Sequence, residues 1–168
     1  MGLFDRKKKI PVLDVTEDLV SDLVVNQSSE LIGIMKGQGV RDAVQLEEDA
    51  YIFATALGIL AIHNSTFSED QRRLLIDGFT MDSASRKLDL KDLVSKAHAE
   101  ADTLSHGVVK TSQSTDTFLA QSFIEKFVET GPDNLEALLT ITGVIASNLR
   151  PAVDFFNEMS KKYDLVAK

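Results

Sequence analysis

The chain has 168 residues, of which 43% are hydrophobic and 26% are charged, and this composition is typical of one globular domain. It contains no Cys, which excludes disulfides, thiolate zinc sites and cysteine nucleophiles. The formal net charge is -8, so the average surface repels a phosphate backbone and we expect no nucleic-acid partner.

Residues 1–12 are predicted to form a flexible basic segment ahead of a single helical domain over 13–168. Two apolar side chains and four cations characterise this segment: Leu3, Phe4, Arg6, Lys7, Lys8 and Lys9. The combination suits a reversible contact with an anionic membrane or an acidic partner, because each cation near a charged bilayer contributes about 1 kcal/mol. A solubilising tail fits the same residues equally well.

The first helix is predicted to begin at Thr16, a residue type that caps helices, with acids in the turn that follows. Polar residues 26–29 are expected to interrupt it, and Gly37 is expected to end it. The longest apolar run, 50–62, predicts a central buried helix that ends in the polar loop 63–66. Ser68 and Gln71 form a capping box for a short helix, which Gly78 is expected to stop.

Apolar residues in the second half recur at steps of three and four, which predicts one helix up to Gly107 and another up to the pair Gly131 and Pro132. A further helix is expected to stop at Pro151 and a last one to run towards Tyr163. The whole pattern predicts an all-α, single-domain bundle of seven or eight helices.

Candidate catalytic residues are few. His98, Asp102 and His106 share one helical face, but the two histidines lie about 12 Å apart along the axis, so one metal ion could take only an adjacent pair. A solvated polar face explains the same spacing. No phosphate-binding loop or nucleophile motif is present in the sequence. We therefore expect no catalytic residues, no bound cofactor and no enzymatic activity.

A buried helix, the loop 63–70 and a Leu-rich helix follow each other along the chain. This order resembles the first half of the tellurite-resistance, TerB-type helical domain. That family carries an Asp-Gly turn, with a later acid, at the end of a buried helix and repeats the device further along the chain. Asn64 stands here at the Asp position, Ser65 at the Gly position and Asp70 at the later acid. Asn148 and Asp154 suggest a second occurrence, so the bundle is expected to be a pseudo-repeat with two matching helix-end loops.

The resemblance implies a divalent-cation site, such as one for calcium, at four positions: Asn64, Asp70, Asn148 and Asp154. Asparagine keeps an oxygen ligand but loses its charge, and calcium affinity depends on the number of charged ligands, so we favour a metal-free version of the family's loops. Ordinary helix termini explain these residues as well, because Asn ends helices and Asp favours a first turn.

Our leading functional hypothesis is a non-enzymatic helical interaction module with a protein partner. The resemblance implies a role in stress or phage resistance through a membrane-associated complex. We expect a cytoplasmic protein with peripheral contact at the inner membrane face, because neither a secretory signal nor a membrane span is visible. The alternatives are a divalent-metal-binding protein that uses the helix-end loops, and an oligomeric structural protein of a virus or mobile element.

Overall fold

The computed structural model describes residues 7–38, 40, 42–127 and 135–167. Within these residues it contains six helices and two short strands, which confirms the predicted all-α single domain with a smaller number of helices. Helix α1 is continuous over three segments, Val12–Leu19, Val20–Asn26 and Gln27–Gly37. The remaining elements are strand β1 (Lys8–Pro11), α2 (Ala43–His63), α3 (Glu69–Arg86), α4 (Leu93–Lys110), α5 (Thr115–Ile124), α6 (Leu135–Lys162) and strand β2 (Tyr163–Val166).

Helix α2 is the centre of the core, as its apolar run predicts. Every residue from 50 to 62 is buried, and α1, α3, α4 and α6 all pack against the helix. An apolar helix that has protein on all sides needs no polar face, which explains the unbroken run. Phe53 extends the core towards α5, where its ring lies 4.9 Å from the ring of Phe123. In the described residues, no helix has both the length and the apolar character needed to cross a membrane.

Helix α1 begins earlier and runs further than the sequence predicts. It starts at Val12, directly after Pro11, and Thr16 is a buried residue inside it whose hydroxyl donates to the Leu13 carbonyl. The expected interruption over 26–29 is absent because the hydroxyls of Ser28 and Ser29 donate back to a helix carbonyl, that of Val25. The middle segment is π-helical.

The sequence predicts that helices end at Gly78 and at Pro151, but each of these residues lies inside a helix. A Cβ on Gly78 would sit 3.2 Å from a methyl group of Val12, so the glycine allows α1 to pack closely on α3. Pro151 lies inside α6, where the buried side chains of Ile145 and Phe156 on either side hold the helix against the core. Burial on both sides outweighs the hydrogen bond that proline cannot make.

The two strands pair with each other in parallel, with Lys8 opposite Tyr163 and Pro11 opposite Val166. Gln71 of α3 holds the outer edge of β2, because its side chain both donates to the Leu165 carbonyl and accepts from the Leu165 N–H. The structure therefore places 8–11 in a strand, in a stretch for which the sequence predicts a flexible segment. Four-residue strands are too short to give a recognisable alternation of apolar and polar residues.

Candidate interaction groove

A groove runs along the surface between the first half of α1 and the second half of α6. Helix α6 packs against the 27–37 part of α1, and the two helices separate beyond it, leaving a cavity of about 470 Å³. Ser147 and Met159 mark its two ends on α6, which lie about 18 Å apart at the α-helical rise of 1.5 Å per residue. The groove is therefore elongated.

The floor of the groove is apolar. The buried side chains of Val15, Leu19 and Leu23 come from α1, and that of Ala152 comes from α6. Phe155 also lines the groove, with 43% of its surface exposed, and its ring lies 5.8 Å from the ring of the buried Phe156. The edge contact is a favourable arrangement of two aromatic rings, and a large part of Phe155 stays exposed to a partner.

One rim of the groove is acidic. Asp14, Asp18 and Asp22 follow each other at intervals of four residues on α1, all three line the groove, and all three are exposed. Among the described residues, none of the three lies within 4.0 Å of a basic side chain. Like charges four residues apart on a helix are destabilising by about 0.2–0.5 kcal/mol per pair, so this row weakens the isolated helix.

Both walls of the groove depart from regular α-helical hydrogen bonding. Asp22 and Leu23 belong to the π-helical segment of α1, and such segments are frequent at functional sites. Pro151 on the opposite wall has no N–H to donate to the carbonyl of Ser147, which also lines the groove. Both departures from α-helical hydrogen bonding therefore occur at residues that line the groove.

The four residues at which the family resemblance implies a metal site do not come together. Asn64 caps α2 and donates to the Leu60 carbonyl, and Asp70 lies in the first turn of α3. Asn148 and Asp154 lie inside α6 rather than at a helix end, so the expectation of a second helix-end loop is wrong. The cause is the continuation of α6 through its proline. No group of three or more metal-ligating acids or histidines occurs in the described residues.

Two of the four, Asn64 and Asp154, do line one cleft of about 440 Å³ together with Asp116 and Arg150. Asp116 is buried in the first turn of α5, and the guanidinium of Arg150 lies 3.2 Å from its carboxylate. This ion pair links α5 to α6 at the cleft, with the Arg150 side chain largely exposed.

The predicted basic contact segment is only partly within the described residues. Leu3, Phe4 and Arg6 lie outside them. Lys7 is held by the fold itself, because its ammonium donates to the Ser160 carbonyl at 2.6 Å and lies 4.0 Å from the Asp164 carboxylate. Lys8 and Lys9 are exposed residues of β1. Of the predicted contact residues, the three within the described part of the chain, Lys7, Lys8 and Lys9, are all exposed, and only Lys7 is also bound to another part of the fold.

A second, polar depression of about 420 Å³ contains His63, His98, Arg72 and Arg73. Partial burial lowers the pKa of His63, and the neighbouring Arg72 guanidinium lowers it further, while Asp102 opposes both. The carbonyl of His63 accepts a hydrogen bond from Arg72 at 2.9 Å.

His106, the last residue of the predicted polar face over 98–106, does not line this depression. The ring of His106 pairs with the Asp102 carbonyl at 2.7 Å, one turn back along α4. The predicted face over 98–106 is therefore divided between the depression and solvent.

No family model, curated protein or solved structure matches this chain. The TerB resemblance accordingly stays a prediction.

Proposed function

We propose that this protein is a non-enzymatic interaction module that binds a segment of a protein partner in the groove between α1 and α6. The observation that carries the proposal is the exposed Phe155 in a groove with an apolar floor. Aromatic side chains that a partner can cover completely dominate the binding energy of protein interfaces. An elongated groove between two helices is also the geometry in which amphipathic helices commonly dock.

The remaining features of the groove support the same function. A row of like charges and an internal proline both lower the stability of the free protein, and a binding site is a place where such losses are retained.

Site-specific photocrosslinking in cells of the source organism tests the proposal. A photoreactive phenylalanine analogue replaces Phe155 in the groove, and a matched variant carries it at Val109 on α4, which is 84% exposed and outside the groove. We expect a protein adduct of discrete mass from position 155 and none of that mass from position 109.

The adduct should also disappear when Met159, which lines the same groove and is only partly buried, is replaced by Asp, because a carboxylate there would lose its hydration on binding. Circular dichroism of M159D establishes that the helices are retained. Adducts of the same mass and yield from both positions, or undiminished crosslinking in M159D, would contradict the proposed function.

A further inference from the structure

The acidic rim identifies the chemistry of the partner segment. Resting on the function proposed above, we infer that the groove takes a basic amphipathic helix, with its apolar face on the floor and a row of Lys or Arg facing Asp14, Asp18 and Asp22. Because the three aspartates are four residues apart on α1, they are spaced by about 6 Å along its axis. Cations four residues apart on a second helix have the same spacing.

The dimensions of the groove also favour a helix. Its length of about 18 Å corresponds to roughly three helical turns at a pitch of 5.4 Å. Two or three apolar side chains from successive turns would lie along such a floor, with Phe155 between them. An extended partner strand could pair only with the four residues of β1, because Ile10 is the one strand residue among those that line the groove and the others are helical.

The sign of the rim charge distinguishes this partner from a membrane. Three exposed carboxylates beside an apolar floor repel the anionic lipid surface that the basic residues of the amino-terminal segment would attract. The same charges accelerate the encounter with a cationic protein segment and select against an acidic one.

Binding of synthetic helical peptides to the full chain, measured by fluorescence anisotropy, tests the inference. One peptide carries leucines on one face and three lysines at intervals of four residues along its flank, and the matched peptide carries glutamates in place of the lysines. We expect the lysine peptide to bind more tightly, and we expect D14N/D18N/D22N to weaken it about tenfold, since each exposed ion pair contributes a small part of that factor. The loss should diminish with added salt.

A variant in which the charge of the acidic rim is reversed gives a result that loss of folding could not produce. In D14K/D18K/D22K the preference should reverse, so that the glutamate peptide binds and the lysine peptide does not. A control variant with the same charge change as D14N/D18N/D22N, D70N/D77N/D89N, removes three exposed aspartates outside the groove and should bind the lysine peptide as the natural chain does. A reversal of preference cannot come from a misfolded protein.

Four results would overturn the inference. The first is equal affinity for both peptides, and the second is a D14N/D18N/D22N variant that binds the lysine peptide unchanged. The third is rim-dependent binding of phosphatidylserine vesicles in place of the peptide, and the fourth is a concentration-dependent dimer, detected by light scattering, that excludes the peptide. If the photocrosslink at position 155 forms but the peptides show no preference, the interaction function stands and the basic partner does not.

Discussion

Gly58 should not tolerate a single added methyl group, although it lies inside a helix where alanine is ordinarily preferred. The residue is buried on α2, and a Cβ built on it would overlap the ring of Phe79, with the ring carbon Cε1 only 2.5 Å away and Cζ closer still. Phe79 is fully buried on α3 and cannot turn into solvent. The close approach of α3 to α2 therefore depends on the missing side chain.

Two opposing effects set the magnitude. Replacing glycine by alanine inside a helix stabilises by about 1 kcal/mol. Forcing an extra carbon into a packed core costs about 1–3 kcal/mol, and the overlap with two ring atoms places Gly58→Ala at the upper end. The net expectation is a loss of roughly 2 kcal/mol. Gly143→Ala on α6 is the matched control, because a Cβ there meets no atom within 4 Å, and it should gain up to about 1 kcal/mol.

Urea unfolding followed by far-ultraviolet circular dichroism measures both variants under the same conditions. We expect the midpoint for G58A to fall and that for G143A to rise, with the slope unchanged in both, because neither substitution alters the surface exposed on unfolding. In a thermal scan the G58A loss corresponds to a Tm lower by about 4–8 °C for a chain of this size. If G58A proved as stable as G143A, the packing of α3 on α2 described above would be wrong.

Three further predictions follow from individual contacts. Gln71→Leu removes two hydrogen bonds to Leu165 and should cost about 1–3 kcal/mol, with faster amide hydrogen exchange in β2 than in α3; unchanged exchange would contradict it. Arg150→Ala removes the ion pair to Asp116 and should lower the urea midpoint slightly, because the Arg150 side chain is largely exposed, whereas Arg150→Lys should retain most of the stability. Because the pKa of His63 is lowered in the folded protein, its contribution to stability is present above pH 6.5 and is lost as the pH falls below that value; His63→Gln should flatten this dependence in unfolding measured from pH 7 to pH 5.

The fold class could be predicted because its causes are local. The apolar run 50–62 permits only a helix buried on all sides, and Ser68 does cap α3, with its hydroxyl accepting from the Gln71 N–H at 3.4 Å. The number of helices could not be predicted, because Gly78 and Pro151 are helix terminators by local propensity. Each lies inside a helix through contacts made with distant parts of the chain, and a sequence read in order does not contain those contacts.

The groove could not be predicted from the sequence for the same reason. The interval of four between Asp14, Asp18 and Asp22 is visible in the sequence, but it is equally typical of an ordinary solvated helix face. The row of aspartates differs from a solvated helix face because apolar residues of α6 lie beside it. The packing of α6 on the 27–37 segment of α1 brings those residues there. The prediction of two matching helix-end loops is wrong for a related reason. The residue pattern at 148–154 matches that of the first loop, but it lies within a continuous helix.

The parallel pairing of β1 with β2 has a consequence for the order of events during synthesis. β1 is made before the six helices of the described residues, and its partner strand at 163–166 follows only after them. Ile10 of β1 lines one end of the groove, so that end has no fixed wall on a nascent chain that still lacks β2. A partner that depends on this end of the groove would therefore recognise only chains whose translation has passed residue 166.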